Sequence, residues 1–351
     1  MKVGISLTSN HPDARDPRQG ARWMIERTAA AHRAGLDSLF IGDQHVSTTP
    51  YYQNTPVLGR LLAEWGEAPA GCLFLLPLWP PVLVAEQIGT LASIAQGPFI
   101  MQCGLGYGEA RFAAMGANIK TRPSAFEEAL DIVRRLLAGE TVSSSRRFQI
   151  TQASIALRPA EPVEVWIGAS APPAIDRAAR MADGWIASPS LTHEEARSQA
   201  DFYRGRCAAY GKRPTPIALR RDIYVGESSA DAQAVLQQAL SKGYRGIPAE
   251  ALIAGSIDEV AAAVPRLRGT WVHRHNRAPS HQRSAEGPGL PGPAGKSARG
   301  VRLTAPRGSV RRQSDAVTLP PGAASTAQLG GLAPSRLSAA IARSARQGTQ
   351  T

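Results

Sequence analysis

Residues 70–106, AGCLFLLPLWPPVLVAEQIGTLASIAQGPFIMQCGLG, decide the fold of this chain. The segment begins and ends with nearly continuous apolar runs, AGCLFLL and FIMQCGLG, which are typical of parallel strands covered on both faces. Between them, residues 81–95 are expected to form a helix, with prolines and glycines at the junctions. The segment therefore predicts a β-α-β unit.

The same alternation extends in both directions along the chain. Further apolar runs, VGISL, LDSLFIG, VEVWIGA, GWIAS and IALRRDIYV, alternate with predicted helices at 18–34, 124–138, 173–181, 194–210 and 230–242. A polar, hairpin-like stretch precedes VEVWIGA. Seven β-α units and a trailing helix at 256–267 predict an α/β fold, a TIM (β/α)8 barrel with one strand to come. A doubly wound sheet is the structural alternative.

Composition divides the chain near residue 269. The net charge of +12 is concentrated in residues 270–351, which hold 12 Lys/Arg against 2 Asp/Glu, whereas residues 1–269 hold 28 against 26. The tail also has 10 Gly and 8 Pro and lacks Phe and Tyr. Such a composition cannot offset the entropy of ordering, so we expect a barrel domain at 1–269 and a basic, disordered tail at 270–351. Non-specific nucleic-acid binding by the tail is the alternative.

The cysteines and histidines do not indicate a metal or disulfide site. Cys72, Cys103 and Cys207 match no metal or redox spacing, and we expect buried thiols in a reducing cytoplasm. The cluster HRH at 273–275, with His281, has no carboxylate or thiol partners, so no metal is predicted. The first residues, MKVGISLTSN, lack a charged leader before an apolar core, and no apolar run could span a bilayer. A cytoplasmic protein without membrane contact is expected.

Four blocks resemble one family in their order and spacing. They are GLDSLFIGDQHV (35–46), LPLWPPVLVAEQIGTLASIAQGPFIMQCGLGYGEARFAAMG (76–116), RPSAFEEALDIVRRLLAGE (122–140) and VEVWIGASAPPAIDRAARMADGW (163–185). Over residues 1 to about 268 the chain resembles the bacterial-luciferase-like flavin-dependent oxidoreductases. The resemblance implies a TIM barrel and a monooxygenase that uses reduced FMN and dioxygen on a small organic substrate. A branch of the family that uses the deazaflavin coenzyme F-420 (F420) for hydride transfer is the alternative.

Catalytic residues are expected where the second strand ends, because TIM barrels place their chemistry at the C-terminal ends of the strands. Asp43, Gln44 and His45 occupy this position. Many family members carry an acidic residue and two histidines there, and the first histidine is catalytically important in the luciferases. Gln44 replaces it and cannot titrate, whereas His45 can act near neutral pH. Catalysis is therefore assigned to His45 with Gln44; the alternative is that His45 only orients or packs the loop.

Two further strand ends are expected to border the isoalloxazine ring. By resemblance, Gly104, Gly106 and Tyr107 of GLGYG lie beside the flavin, because glycine lets a flat ring approach the backbone closely. A tight strand-to-helix turn would use the same glycines. Leu73 and Phe74 are candidates to support the ring from the third strand, with plain barrel core as the alternative.

The segment IGASAPPA (167–174) is expected to hold the flavin phosphate. Gly168, Ala169 and Ser170 lead from a strand into a helix, whose N-terminal amides and dipole favour an anion. Ser170 acting only as an N-cap is the alternative.

Residues around the barrel mouth suggest a substrate pocket. The loop 46–69 carries Tyr51, Tyr52 and Trp65, which could wall a pocket for a small-molecule substrate. Arg220 and Arg221 could contact an anion or pair with the adjacent Asp222. The resemblance implies a separate flavin reductase and a homodimer as partners, with no membrane and no specific nucleic acid.

The C-terminal end departs from the family. After the helix at 256–267 the family closes its barrel with a strand similar to GFTDIIVR, whereas this chain continues GTWVHRHNRAP. A one-nucleotide shift from the Trp271 codon permits GFTDIIV at every position, so we interpret residues 270–351 as a frameshift product. A missing eighth strand would leave the first and seventh strands with unpaired edges and lower stability. A non-catalytic, truncated product is therefore the third functional alternative.

Overall fold

The computed structural model describes residues 1–213 and 215–267, and over these ranges the expected alternation of strands and helices is present. The strands are β1 Ile5–Leu7, β2 Leu39–Ile41, β3 Ala70–Leu75, β4 Phe99–Gly104, β5 Val142–Ser144, β6 Ile150–Ala153, β7 Glu164–Gly168, β8 Gly184–Ala187, β9 Ile217–Leu219, β10 Asp222–Val225 and β11 Leu252–Gly255. The helices are α1 Pro17–Arg33, α2 Asn54–Leu61, α3 Pro81–Ile94, α4 Glu109–Ala114, α5 Arg122–Leu137, α6 Pro172–Met181, α7 His193–Ala209, α8 Ser229–Ser241 and α9 Ile257–Arg266. The predictions for residues 270–351, including the disordered tail, the frameshift and the histidines at 273–275 and 281, lie outside the described residues.

The sheet has the strand order of a barrel. Seven strands pair in the order β1-β2-β3-β4-β7-β8-β9, and every pairing between neighbours is parallel. A doubly wound sheet reverses its strand order, so this sequential order excludes that alternative. This order of parallel neighbours confirms the predicted barrel architecture, and the position of an eighth strand, after residue 267, lies outside the described residues. The polar stretch after α5 forms the expected antiparallel hairpin, β5 with β6.

Side chains on the outward face of the central strands pack against the helices and form the hydrophobic core. The β3–β4 register places Cys72 opposite Met101 and Phe74 opposite Cys103, and all four side chains are fully buried. The third cysteine, Cys207, is also buried, so the prediction of buried free thiols is confirmed. Residues of the opposite parity, such as Leu73, therefore face the barrel lumen.

The run IALRRDIYV is broken into two strands, whereas one strand was predicted. β9 pairs with β8, but β10 pairs with β11, a strand that the sequence did not reveal. The break follows from Asp222, whose largely buried carboxylate accepts hydrogen bonds from Arg220 (3.2 Å), Tyr244 (3.0 Å) and Arg245 (2.6 Å). These contacts anchor the start of β10 to residues that follow α8.

The helices begin near the predicted positions because polar side chains cap them. Asp16 caps α1, and Thr192 and Ser256 form capping boxes with Glu195 and Glu259 at α7 and α9. Two helices, α2 and α4, lie within segments that were expected to be loop or turn. Each described helix is too short or too polar to serve as a transmembrane span.

Candidate functional site

A flat strip of backbone lies at the C-terminal ends of β4 and β7. Cys103 pairs with Ile167, so the next residues, Gly104 and Gly168, end neighbouring strands at the same level and face the lumen. A Cβ atom built on Gly168 would have Cys103 O, at 3.7 Å, as its nearest neighbour, so the space above this glycine is open. On Gly104 a Cβ atom would lie 3.1 Å from Leu75 Cδ2. Gly168 thus leaves room for a planar group against the strand ends, whereas the Leu75 side chain already packs against the backbone of Gly104.

Asp43 joins the ends of β2 and β3 beside this strip. Its buried carboxylate accepts hydrogen bonds at Oδ2 from the Leu75 backbone amide and from Trp79 Nε1, both at 2.8 Å. The donors lie at the last residue of β3 and in the chain just after it, so together they fix the position of the carboxylate. Hydrogen bonds to a charged acceptor are stronger than neutral ones, which makes this joint rigid.

His45 lies against the second oxygen of Asp43. Its Nε2 is 3.2 Å from Asp43 Oδ1, and its side chain is only 11% exposed. The Trp79 ring meets the imidazole edge-on, with 5.3 Å between ring centres. Arg111 Nε donates to the His45 carbonyl at 3.0 Å, which ties this loop to α4. The imidazole is therefore held from several sides, as the chemistry of a general acid or base requires.

Backbone strain follows His45 directly. Val46 has a φ of 50° and is 57% exposed, a left-handed conformation that is costly for a β-branched residue. Such strain concentrates at functional sites, where the surrounding structure enforces it. The carbonyl of Gln44 accepts a hydrogen bond from Gln53 Nε2 at 3.2 Å, and the catalytic role of Gln44 stays a prediction.

Buried polar atoms without hydrogen-bond partners collect at this end of the barrel. Across the part of the chain that the structure describes there are five such side-chain atoms: Ser9 Oγ, His11 Nε2, Asp43 Oδ1, His45 Nε2 and Gln199 Oε1. Four of the five follow β1 or β2. Because buried polar groups in folded proteins are nearly always paired, this concentration distinguishes this end of the barrel from the rest of the described fold.

Of the three aromatic residues expected to wall a pocket, Tyr51 and Tyr52 lie near the mouth. The Tyr51 hydroxyl lies over Gly42, 3.0 Å from a Cβ atom built there, and burial raises the pKa of Tyr51 to about 12. Tyr52 donates to the carbonyl of Pro17 and packs against His11, so its role at a pocket stays a prediction. The prediction was wrong for Trp65, which is 2% exposed in the core and donates to the carbonyl of Ala68.

The GLGYG segment forms a tight turn into α4 and borders the mouth. Gly106 and Gly108 have φ values of +73° and +86°, and Gly108 precedes the first turn of α4. Tyr107 is 69% exposed, and the Arg111 guanidinium lies over its ring at 4.8 Å. These residues therefore form the tight strand-to-helix turn, and this turn does not prevent them from bordering a ligand at the mouth.

The two candidates on β3 point in opposite directions. Leu73 is partly exposed and faces the lumen, 3.6 Å from a Cβ atom built on Gly104. Phe74 is fully buried and packs edge-on against Trp79 on the other face of the sheet. The proposed contact between Phe74 and a ligand at the mouth is therefore wrong for its side chain, because successive strand residues face opposite sides.

The turn from β7 to α6 offers fewer free amides than expected. The Ala169 amide already donates to the carbonyl of Ile186 at 3.3 Å, and Pro172 and Pro173 have no N–H. The N-cap is Ala171, not Ser170, and neither has a partner for its amide within residues 1–213 and 215–267. Gly168, Ser170 and Ala171 are exposed, so two N–H groups remain available for an anion.

The arginines after β9 are engaged with the protein. Arg220 pairs with Asp222, as the sequence alternative held, and Arg221 donates to the carbonyl of Pro189 at 3.3 Å. Burial lowers the pKa of Arg221. In the described part of the chain no group of His, Cys, Asp and Glu side chains could hold a metal ion.

A concavity of about 430 Å³ lies away from the mouth, between α5, the β5–β6 hairpin and the end of α6. Its charged lining mixes both signs, from Glu127, Asp131, Arg135, Arg146 and Arg180. It shares no residue with the strand ends described above, and the pair Arg180–Glu127 closes part of it at 3.0 Å. We therefore place the candidate site at the barrel mouth.

Sequence comparison finds relatives with named activities. A family profile described as luciferase-like monooxygenase matches residues 1–290. An F420-dependent glucose-6-phosphate dehydrogenase of Intrasporangium calvum is 32% identical over 50% of this chain and 56% of its own length. An F420-dependent hydroxymycolic acid dehydrogenase of Mycobacterium tuberculosis is 28% identical over 66% of this chain and 65% of its length. The chain thus spans between half and two thirds of these curated relatives.

Structure comparison finds the same fold with different cofactors. The monooxygenase RslO1 of Streptomyces bottropensis matches with a TM-score of 0.65 and 21% identity, over 77% of this chain and 89% of that one. A type II Baeyer–Villiger monooxygenase of Pseudomonas putida, solved with FMN, matches with a TM-score of 0.64 and 17% identity, over 77% and 88%. An F420-dependent secondary alcohol dehydrogenase matches with 0.64 and 14%, over 78% and 92%. At these identities the likeness establishes the fold alone.

Proposed function

The chain belongs to the luciferase-like monooxygenase family, and we propose that it is an F420-dependent oxidoreductase acting on a small alcohol or carbonyl compound. The observation that carries the proposal is the flat Gly104–Gly168 strip next to the Asp43–His45 pair. The names of the relatives support F420 over FMN, since those at 30–32% identity are F420-dependent dehydrogenases.

The residues at the mouth fit a flat ring with a phosphate. Leu73, Gly104, Gly106 and Tyr107 would border the ring, and Gly168 would leave it room. The free amides of Ser170 and Ala171 would bind a phosphate oxygen. The amide of Ala169 already donates to the Ile186 carbonyl, so Ala169 would contribute only to the shape of the site. When bound, F420 supplies a ring carbon that accepts or returns a hydride.

His45 would handle the proton that accompanies the hydride. A hydroxyl hydrogen-bonded to its imidazole can give up its proton as the neighbouring carbon loses hydride, and the reverse reaction returns it. Gln44 can orient the same oxygen but cannot take the proton. Leu75 and Phe112, which pack together beside the strip, would keep water from the reacting atoms.

Reduced FMN with dioxygen is the second candidate. The paired free amides of Ser170 and Ala171 suit it as well, because FMN ends in a phosphate that can accept from both. The FMN-bound structural neighbour shows the fold and supports the choice only to that extent. In this case a separate flavin reductase would be the partner, and a homodimer is proposed in either case.

Cofactor titration of the full chain tests these proposals. Fluorescence titration with F420, and in parallel with FMN, should give saturable binding of one of them. Gly168→Leu should weaken that binding at least tenfold because the side chain would fill the strip. Gly205→Leu is the matched control, since Gly205 is exposed on α7 with nothing within 4 Å of an added Cβ.

The titration also addresses the third alternative. If neither cofactor binds the wild-type chain, the proposed function is wrong and the non-catalytic reading is favoured. Equal cofactor affinity of Gly168→Leu and the wild type would show that the cofactor does not bind against Gly168.

A further inference from the structure

The pair formed by Asp43 Oδ1 and His45 Nε2 is unusual because each atom is buried and lacks a hydrogen bond, yet they face each other at 3.2 Å. A gap of this length admits no water molecule. The histidine χ2 torsion is broad, so a small rotation of the ring brings its N–H into line with the oxygen. Mutual pairing is therefore the arrangement that leaves neither atom unsatisfied.

The carboxylate cannot turn away from the imidazole. Its other oxygen is held at 2.8 Å by both the Leu75 amide and Trp79 Nε1. Trp79 also meets the imidazole edge-on, so one indole fixes both members of the pair. Arg111 fixes the backbone of His45 through its carbonyl.

We propose that Asp43 is a positioning residue that keeps the neutral imidazole of His45 protonated on Nε2, so that Nδ1 is the proton acceptor at the mouth. The proposal deepens the function proposed above, since the proton that Nδ1 would take is that of the substrate hydroxyl. That proton would pass to Nδ1 as the neighbouring carbon loses hydride, and Nδ1 would return it in the reverse direction. The carboxylate then stabilises the imidazolium that forms.

Other charges near His45 do not compete for Nε2. Arg111 donates to the His45 and Tyr107 carbonyls, not to the imidazole. Tyr51 lies near Asp43, Arg220 and Tyr107, and Arg220 is itself paired with Asp222. Within the described residues Asp43 is the carboxylate paired with this imidazole.

The test is nitrogen-15 NMR of the full chain without cofactor, with the His45 signals assigned by their loss in His45→Gln. In the wild type with a neutral His45 imidazole, we expect the protonated shift at Nε2 and the unprotonated shift at Nδ1. Asp43→Asn should increase the share of the tautomer protonated on Nδ1, because a neutral amide oxygen accepts the Nε2 proton less strongly than a carboxylate does. Asp183→Asn is the matched control, because Asp183 also accepts from a strand amide, Val165 N at 3.0 Å.

Two results would overturn the proposal. One is a wild-type His45 that carries its neutral proton on Nδ1, and this result needs no variant to fold. The other is a folded Asp43→Asn chain whose His45 tautomer ratio equals that of Asp183→Asn. Because cofactor is absent from this measurement, the expected tautomer together with a failed cofactor titration would reject the proposed function and retain the role of Asp43.

Discussion

The middle of the sheet and its two ends differ in burial. β2 is buried at all three positions, and β3 and β4 are buried at five and four of six. β1 and β10 are buried at one position each and β9 at one of three. β2, β3 and β4, each with a neighbour on both sides, are thus mostly buried, whereas the end strands β1 and β9 and the separately paired β10 are not.

This difference teaches that the candidate site does not depend on closure of the barrel. Asp43 and His45 follow β2, Leu75 ends β3, and the glycine strip ends β4 and β7. These are consecutive strands in the interior of the sheet. The site can therefore form while the edges of the sheet remain the weakest part of the fold.

The largest expected contrast is between two isoleucines. Ile41→Ala in β2 removes a side chain with no exposure and should cost about 2–5 kcal/mol, because a cavity adds to the lost burial. Ile223→Ala in β10, which is partly exposed, should cost less than half of that. Urea unfolding of both variants measures the difference, and equal losses would show that edge and interior are equally packed.

Lowering the pH should destabilise the chain through His11, which follows the edge strand β1. This histidine follows β1, packs against Trp23 and Tyr52, and burial lowers its pKa to about 4. The unfolded chain binds a proton below about pH 6.5, so stability that is complete above that pH is lost as pH falls towards 4. The shift corresponds to about 3 kcal/mol.

The variant His11→Phe should remove this acid sensitivity while keeping an aromatic ring in place. Unfolding free energies measured between pH 4 and 7 test it, with His32→Gln on the exposed part of α1 as control. An unchanged pH dependence in His11→Phe would place the acid-sensitive group elsewhere.

Replacing Trp79 and Trp65 compares the stability contributed by a hydrogen bond at the candidate site with that of one in the core. Trp79→Phe removes a hydrogen bond to the Asp43 carboxylate and should cost about 1.5–3 kcal/mol, whereas Trp65→Phe removes one to a neutral carbonyl and should cost about 1 kcal/mol. Denaturant unfolding of the pair measures both. A larger loss of unfolding free energy in Trp65→Phe would contradict the expectation that the hydrogen bond to Asp43 is the stronger of the two.

The smallest effect is expected at Val46. Val46→Gly should stabilise the chain by about 1 kcal/mol because glycine tolerates the φ of 50°, whereas Val46→Ala should not. Thermal unfolding measures the change. A destabilised glycine variant would mean that the Val46 side chain makes a contact that outweighs its backbone strain.

The sequence predicted the interior of the fold better than its ends. Continuous apolar runs such as FIMQCGLG identify strands with neighbours on both sides, and the helices between them followed. The break between β9 and β10 could not be read, because it depends on Asp222 meeting Tyr244 and Arg245 more than 20 residues away.

The candidate site was predicted by position more than by contact. The sequence placed Gln44, His45 and the glycines at strand ends, which a β-α repeat fixes. It could not show that Asp43 holds Trp79, that Phe74 faces the core, or that the Ala169 amide is occupied, because each depends on a partner distant in sequence. The positive φ of Val46 carries no signal in the residue type.

The Pro172–Pro173 pair at the start of α6 has a consequence for selectivity among anions. Most helices present a crown of N–H groups that grips tetrahedral oxyanions almost indiscriminately. Here two free N–H groups remain, those of Ser170 and Ala171, so inorganic phosphate and sulfate should compete poorly for this turn. A molecule bound at this turn would then depend for its retention on contacts along its whole length rather than on its phosphate alone.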